Sequence, residues 1–562
     1  METKRLVLAI ILSLVAFVAY VHFFSPEPQS QKPVAQEPVK QETAKPSASP
    51  TVAAPTRAIA EKIQTVAKGK NVIIETDLVK VTINTAGGVI TGWELKQFRE
   101  ADKSEVGLFA LFKKISGSSQ KQAKPQSEFG NVQLLPQGEL IDKSKVVSSL
   151  QLVPFDKASS RLALVNFRAN HDTIRLTSAK PSETLILSYQ GPSGMVIEKR
   201  LTFHNNSYQV DLEIRTRGLD GYNLNLGTDF GFADKVSSDA AGRVGFAAQI
   251  DNKFISEKTE DIKTGLQHSG SINWFGQEDK YFTATLLYGD LGIVTITRTP
   301  APAEMGDLLA TELMVKEKLE TRSYALYAGP KNFTTLQAYG RGLEQMVDYG
   351  WFAILAKPMF WLLQKFYAFT MNYGIAIILL TIVIRILLFY PSLKSAIAME
   401  DMKKLQPLVL ELKEKYKKDP RQMQQETMKL YKEHKVNPMG GCFPMLLQIP
   451  FFIALYNVLS VSIELRQAPF VSFWIKDLAA HDPYYILPVL MGLSMILMMK
   501  ITTTTPDPQQ AKIMMIMNIA FIFMFAWLPA GLLLYITLSN ILSIVQQMYV
   551  HRLITKGERK AA

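Results

Sequence analysis

One apolar run decides the fold of this chain. Residues 374–390 read GIAIILLTIVIRILLFY, and Arg385 is the one formally charged side chain among them. At about 1.5 Å per residue, a helix of this length approaches the thickness of a bilayer hydrocarbon core. An arginine inside such a helix costs on the order of 3 kcal/mol, so it needs a wet or paired environment. The run predicts a membrane helix with polar surroundings at Arg385.

Further apolar runs follow towards the C-terminus. Residues 443–463 and 484–499 carry no formal charge. Residues 513–527 and 531–550 are separated only by LPAG, which is typical of a tight turn between antiparallel spans. Together with the first run, they predict a five-helix membrane core within residues 371–550.

Another apolar run lies near the N-terminus. Residues 6–24 follow Lys4 and Arg5 and are long enough to span a bilayer. A cleavable signal peptide is the competing interpretation, but no clean A-x-A site follows. We therefore expect residues 1–24 to be a transmembrane anchor, which brings the total to about six spans. Residues 25–70 are rich in Pro, Gln, Ala and Lys, and this composition predicts a disordered linker.

A long region between the linker and the core has the period of β-strands. Val79, Val81 and Ile83 alternate with polar residues, and the same alternation recurs around residues 208–214. Glycine-rich turns separate such runs. Residues 71–345 are therefore predicted to form a large antiparallel β-sandwich.

The β region is followed by an aromatic and amphipathic segment. Trp351 and Trp361 alternate with Lys357 and Lys365, and the lysines interrupt any spanning run. Such a pattern favours an interfacial helix, which we place at residues 346–370.

The distribution of basic residues predicts the topology. The chain carries a net charge of +12, which is compatible with nucleic-acid binding but also with basic cytoplasmic loops. Lysines concentrate in residues 392–438 and in the tail, residues 551–562. We therefore place both termini and these segments in the cytoplasm and the β-sandwich outside it, and we predict no sequence-specific nucleic-acid binding. Residues 392–438 read as a charged helical hairpin, either a cap over the bundle or a docking site for a ribosome or nascent chain.

Motifs for enzymatic chemistry are missing from the sequence. No Walker A loop, GxGxxG fingerprint, GxSxG elbow or HExxH pair occurs, and the histidines are scattered. The single cysteine, Cys442, excludes an intramolecular disulfide. We predict neither catalytic residues nor a cofactor or metal site.

Polar residues within the apolar runs indicate a substrate groove. Thr381 lies one helical turn before Arg385, and Gln448, Asn518 and Tyr535 lie on other predicted spans. Each of these alone is a routine partner for hydrogen bonds between helices. Together they predict a polar cavity around Arg385 that opens towards the cytoplasm. The alternative is that Arg385 snorkels to the cytoplasmic surface.

Three stretches carry a family resemblance. NPMGGCFPMLLQIPFFIALYNVL at 437–459, WIKDLAAHDPYYILPVLMG at 474–492 and LPAGLLLYITLSNILSIVQQ at 528–547 resemble the YidC membrane protein insertase family of Gram-negative bacteria. The resemblance implies an inner-membrane chaperone with a periplasmic β domain and a hydrophilic groove, in which Arg385 takes the place of the family's groove arginine. It also implies nascent membrane proteins as clients, inserted either by this protein alone or together with the Sec translocon, while the hairpin and the basic tail are the candidate contacts for a ribosome.

Insertion and folding of membrane proteins is therefore the expected function. A transporter or channel for a small anionic solute is the alternative, with Arg385 as the binding charge. A membrane-tethered periplasmic carbohydrate-binding protein or enzyme is a third class, in which the β-sandwich would be the active part.

Overall fold

The computed structural model describes residues 69–100, 130–136, 146–155, 165–191, 194–233, 243–263, 265–301, 306–316, 320–417, 419–434, 436, 443–502 and 508–561. The predicted anchor at residues 1–24 and nearly all of the predicted linker at residues 25–70 lie outside these ranges.

Two β-sheets fill the first half of the described chain. The strands are β1 Asn71–Glu75, β2 Val79–Asn84, β3 Val89–Arg99, β4 Asn131–Gln133, β5 Leu152–Pro154, β6 Arg168–Ala169, β7 Thr173–Arg175, β8 Ser182–Gln190, β9 Val196–His204, β10 Gln209–Arg217, β11 Tyr222–Thr228, β12 Gly245–Ile250, β13 Lys253–Lys258, β14 Gly265–Glu278, β15 Phe282–Thr299, β16 Leu308–Val315 and β17 Thr321–Pro330. One sheet has five strands in the order β4-β3-β2-β1-β7. The other has twelve strands, with β13-β12-β14-β15-β17-β10-β9-β8-β6 as its main path.

Burial follows the alternation seen in the sequence. Val79, Val81 and Ile83 of β2 are at most 1% exposed, while the residues between them face outward. Trp93 of β3 crosses between the sheets, because its indole N–H donates to the carbonyl of Ala328 on β17 at 3.1 Å. The apolar faces of both sheets thus share one core.

One strand pair differs from the predicted antiparallel arrangement. β7 pairs with β1 in parallel, with Ile174 opposite Ile74. The physical reason is the free edge of β1: the Ile73 amide donates to Asp172 and the Leu176 amide donates to Glu75, which satisfies backbone groups that an open edge would leave unpaired.

Ten α-helices occupy the rest of the described residues. They are α1 Phe333–Ala338, α2 Ala353–Thr370, α3 Tyr373–Leu387, α4 Phe389–Lys404, α5 Gln406–Lys415, α6 Pro420–Glu433, α7 Phe443–Val461, α8 Ile486–Thr502, α9 Pro508–Phe525 and α10 Ala530–Ala561. The segment predicted as an interfacial helix contains α2, and the predicted hairpin contains α5 and α6.

The first core helix ends earlier than the sequence suggested. Instead of continuing to Tyr390, α3 stops at Leu387, and α4 leaves it at an angle of 66°. Pro391 explains the break, because it has no amide proton to donate to the carbonyl of Leu387 and its ring would clash with the preceding turn.

Two helices extend beyond their predicted ends. α9 begins at Pro508, before the predicted residue 513, and α10 continues through the predicted basic tail to Ala561. Residues 530–553 of α10 are long and apolar enough to cross a membrane, and the bent pair α3–α4 passes the same criterion when taken as one span. Residues 447–461, 486–501 and 515–525 form shorter apolar helical stretches.

Candidate substrate groove

A polar line runs along one side of α10. Tyr535, Ser539 and Gln546 are spaced four and seven residues apart, which puts them on one face of the helix over about 16 Å. Each of them contacts a different helix, as described below. This face of α10 therefore connects polar side chains from α3, α4 and α7.

Arg385 meets this line at Ser539. Its guanidinium Nη2 donates to the Ser539 carbonyl at 2.6 Å and also to the Ser539 hydroxyl. The two residues are 154 positions apart, so this contact joins α3 to α10. Arg385 lies in the last turn of α3, where its positive charge also suits the negative end of the helix dipole.

The charge of Arg385 has no acidic partner within the described part of the chain. Its polar neighbours are the phenol of Tyr535 and the uncharged groups of Ser539. The guanidinium Nε is buried and makes no hydrogen bond to any described residue. A half-buried cation with a spare donor can therefore attract an anion or bind water.

The second contact of the polar line is at Tyr535, one helical turn before Ser539 on α10. The side-chain amide of Gln448 on α7 donates to the hydroxyl of Tyr535, which is 1% exposed. Three of the predicted groove residues, Arg385, Gln448 and Tyr535, are thereby joined into one polar cluster.

Thr381 and Asn518 have partners elsewhere. The Thr381 hydroxyl donates to the carbonyl of Ile377 in its own helix at 2.7 Å, and Thr381 is fully buried. The Asn518 amide on α9 donates to the sulfur of Met499 on α8 at 3.4 Å. Neither side chain is bonded to the cluster around Arg385.

Sequence reasoning missed several of the polar contacts between these helices. Ser539 was not selected, although its position four residues after Tyr535 put it on the same helix face. Ser392 of α4 donates to Gln546 at 3.0 Å, and Asn540 of α10 donates to Ser494 of α8 at 3.0 Å. Serines are too common in apolar helices for spacing alone to separate these contacts from chance.

Comparison with known proteins decides the family. Residues 365–558 match the family model described as 60Kd inner membrane protein, and residues 122–362 match that of the YidC periplasmic domain. A membrane protein insertase YidC from Geotalea daltonii is 34% identical, with 98% of this chain and 99% of the relative covered. The chain belongs to the YidC membrane protein insertase family. The insertase YidC of Geobacter metallireducens, 33% identical over 99% of this chain and all of the relative, agrees with this.

A solved structure is also similar. The crystal structure of an active YidC insertase with its first transmembrane domain resolved is 18% identical, with a TM-score of 0.37, and the match covers 85% of this chain and 92% of that one. The family confirms the predicted insertase function. The two alternatives, solute transport and carbohydrate binding, are therefore set aside. As a YidC-family member, the chain is an inner-membrane protein with a periplasmic domain.

A second polar cluster of this YidC-family chain ties α4 to α10. Glu400 is 5% exposed and accepts hydrogen bonds from Gln547 at 3.0 Å and Lys403 at 2.7 Å. Its other oxygen lies 3.1 Å from the His551 ring. Lys403 also donates to the carbonyl of Ile501 on α8, at 2.5 Å. The base of the hairpin is thus held to two core helices.

Apolar side chains remain exposed on the outside of the YidC-family bundle. On α3, Ile386 and Leu387 are 69% and 67% exposed, and Leu493 of α8 and Phe523 of α9 are 58% and 60% exposed. Exposed apolar side chains of this kind need a covering, and lipid is the covering of a membrane bundle.

Proposed function

We propose that this chain inserts membrane proteins by holding the hydrophilic part of a client against the polar line of α10 while the client's apolar segment moves into lipid. The observation that carries the proposal is Arg385, a cation in an apolar helix whose hydrogen bonds to described residues go to uncharged groups of Ser539. Acidic residues of a client tail supply the charge that this site lacks.

The surroundings of Arg385 increase its effect. Coulomb attraction grows as the local dielectric falls, and the apolar residues of α3 on either side of Arg385 lower it relative to water. A passing carboxylate is therefore stabilised at a depth where it would otherwise pay a large desolvation cost. The gain is temporary, because the apolar segment of the client leaves sideways into the bilayer.

Energy for this process comes from the client. Transfer of an apolar segment into lipid is favourable by about 25 cal/mol per Å² of apolar surface, so the groove only has to lower the barrier for the polar tail. We infer that the chain needs no catalytic residue, nucleotide or metal for this step.

The proposal includes a topology and a set of partners. About six spans, cytoplasmic termini and a cytoplasmic hairpin at residues 392–438 follow from the positive-inside rule. Nascent membrane proteins are the clients, and the ribosome and the Sec translocon are the partners for the basic hairpin and for joint insertion. Thr381 and Asn518 stay in the proposed site as neighbours of the groove on α3 and α9.

The role of Arg385 can be tested by changing the charge of a client's translocated tail. Two clients that differ only in having acidic or neutral residues in the translocated tail are inserted into vesicles containing the full chain, and insertion is scored by protease protection. We expect Arg385→Glu to reduce insertion of the acidic client about tenfold and of the neutral client less than threefold, since a lost charge-assisted contact is worth about 1.5 kcal/mol. Arg385→Lys keeps the charge and should retain most of the activity.

Lys500 provides the matched control, since it is an exposed cation at the end of α8. Lys500→Glu makes the same change in net charge and should affect neither client. Equal losses for both clients with Arg385→Glu would show that Arg385 is a structural residue that snorkels to the surface.

A further inference from the structure

A cavity of about 180 Å³ lies between α1, at the end of the β domain, and α2. It does not belong to the groove, because none of its lining residues comes from α3, α7 or α10. This volume has room for several water molecules or for a small polar group.

One face of α2 forms a wall of this cavity. Lys357, Trp361 and Gln364 all line it, and their spacing of four and three residues puts them on the same side of the helix. Thr334 and Gln337 of α1 face them across the cavity, and the Gln364 amide reaches the Thr334 hydroxyl at 3.4 Å. The lining therefore combines a cation, two amides and a hydroxyl with four aromatic side chains, Phe333, Tyr349, Phe360 and Trp361.

The charge of this wall is positive and is not compensated within α2. The helix contains Lys357 and Lys365 but no Asp or Glu. In the described part of the chain, no carboxylate forms an ion pair with Lys357. A phosphate is the anion that matches one ammonium together with several neutral hydrogen-bond donors.

The outer surface of α2 is unusually apolar for a helix next to a soluble domain. Ile354 is 83% exposed, Trp361 59% and Phe369 87%, and Trp351 just before the helix is 73% exposed. Exposed tryptophans and phenylalanines beside lysines are typical of a helix that lies at the level of lipid headgroups. A cavity that opens on such a helix faces those headgroups.

We propose that this cavity binds the phosphate of an anionic phospholipid in the periplasmic leaflet, with Lys357 as the cationic contact and with Thr334, Gln337 and Gln364 as hydrogen-bonding groups. The bound headgroup bridges α1 of the periplasmic domain and α2, so a lipid fixes how this domain is held at the membrane. The inference rests on the insertase topology of the proposed function and on the interfacial location that the sequence predicts for α2, but it does not depend on the groove.

Native mass spectrometry of the full chain tests the site. The purified protein is titrated in detergent with phosphatidylglycerol or with phosphatidylcholine, and the bound lipids are counted. We expect tighter binding of phosphatidylglycerol, and a loss of about tenfold in Lys357→Gln, since a charge-assisted hydrogen bond is worth about 1.5 kcal/mol. Thr334→Val should weaken binding by a smaller factor.

Lys365→Gln is the matched control. Lys365 is on the same helix and lies over the Trp361 ring at 5.7 Å, but it does not line the cavity. This variant has the same net charge as Lys357→Gln and should lose less than twofold in affinity. Equal losses in the two variants, or no loss in Lys357→Gln, would overturn the proposal. Because lipid counting needs no client, failure here is separate from failure of the groove model, which is measured by insertion.

Discussion

The side-chain amide of Asn332 donates a hydrogen bond to the Glu464 carboxylate, with Nδ2 and Oε1 2.8 Å apart. Asn332 caps α1 at the end of the β domain, whereas Glu464 follows α7 in the core. Arg466 and Gln467 also donate from the core side to the carbonyl of Arg99 on β3, at 2.8 and 3.0 Å. The β domain is therefore joined to the membrane core by polar contacts as well as by the chain itself.

Glu464 should make the stability of this joint depend on pH. Burial raises the pKa of Glu464 from 4.5 to about 7. The folded state then binds a proton that the unfolded state releases, so stability is greatest below pH 4.5 and decreases as pH rises towards 7. Glu464→Gln keeps an acceptor for Asn332 and should abolish this decrease, which we expect to be on the order of 3 °C in melting temperature.

Melting of the full chain in detergent at several pH values between 4.5 and 8 provides the measurement. Glu320→Gln is the control, because this carboxylate is 76% exposed and forms its ion pair with Arg217 on β10. If the melting temperature of Glu464→Gln falls with pH as steeply as that of the unmodified chain, another group controls the pH dependence.

Lys199 should be a structural hydrogen-bond donor of the β domain. It is fully buried on β9 and donates to the carbonyls of Gly87, Gly88 and Leu150 at 3.1, 2.8 and 2.8 Å. Lys199→Met leaves three acceptors without a donor and should destabilise the domain by about 3 kcal/mol. Lys253→Met on the exposed edge strand β13 should cost less than about 0.5 kcal/mol. Urea unfolding, followed by amide hydrogen exchange in β9, distinguishes the two variants.

Glu400 should hold the base of the hairpin to the core. Glu400→Ala removes the acceptor of Gln547, which is 2% exposed, as well as the contacts to Lys403 and His551. We expect faster trypsin cleavage within α5 and α6 and reduced client insertion. Asp401→Ala, which removes only an exposed ion pair with Lys404, should leave both unchanged. Equal cleavage rates in the two variants would contradict a tethering role.

The distal hairpin should serve client capture and not assembly of the core. Its helices α5 and α6 lie beyond the Lys403 contacts to α8, so their removal leaves those contacts in place. Replacing residues 406–433 by a short Gly-Ser linker should leave a membrane-inserted, protease-resistant core with poor insertion activity. Degradation of that core in cells would show instead that the hairpin is structural.

The tryptophans of the α2 region should anchor the domain, whereas the predicted linker should be tolerant. Changing both Trp351 and Trp361 to Asp puts charges where the side chains are most exposed to the interface, and we expect insertion to fall severalfold. Deleting residues 33–55 should have little effect, because their composition predicts no packed structure. Similar insertion by both variants would argue against an interfacial location of α2.

Much of the architecture could be predicted because it depends on local patterns. The alternation at Val79, Val81 and Ile83 identifies a strand with one buried face, whatever that face packs against. The long apolar runs identify membrane helices for the same reason, and Pro391 carries in its own ring the cause of the break after Leu387. The family could be recognised because its motifs are contiguous in the chain.

The hydrogen-bond partners of polar side chains could not be predicted from such local patterns. Thr381 and Asn518 are chemically suited to a groove, yet the first bonds to its own helix and the second to Met499. The partner to which each side chain bonds depends on how its helix is rotated about its axis. Moving a residue by one position along a helix turns its side chain by about 100° around that axis.

The amino-acid sequence by itself determined that this chain has an extracytoplasmic β domain, an apolar helical core and a cation at Arg385. Only the tertiary structure decided that Arg385 meets Ser539, that Glu400 meets Gln547 and that β7 runs parallel to β1. The physical reason is the distance along the chain over which each effect acts. Burial periodicity and proline breaks depend on residues within a few positions of one another. These contacts join residues that are far apart in the chain, and they form only when whole helices and strands pack together.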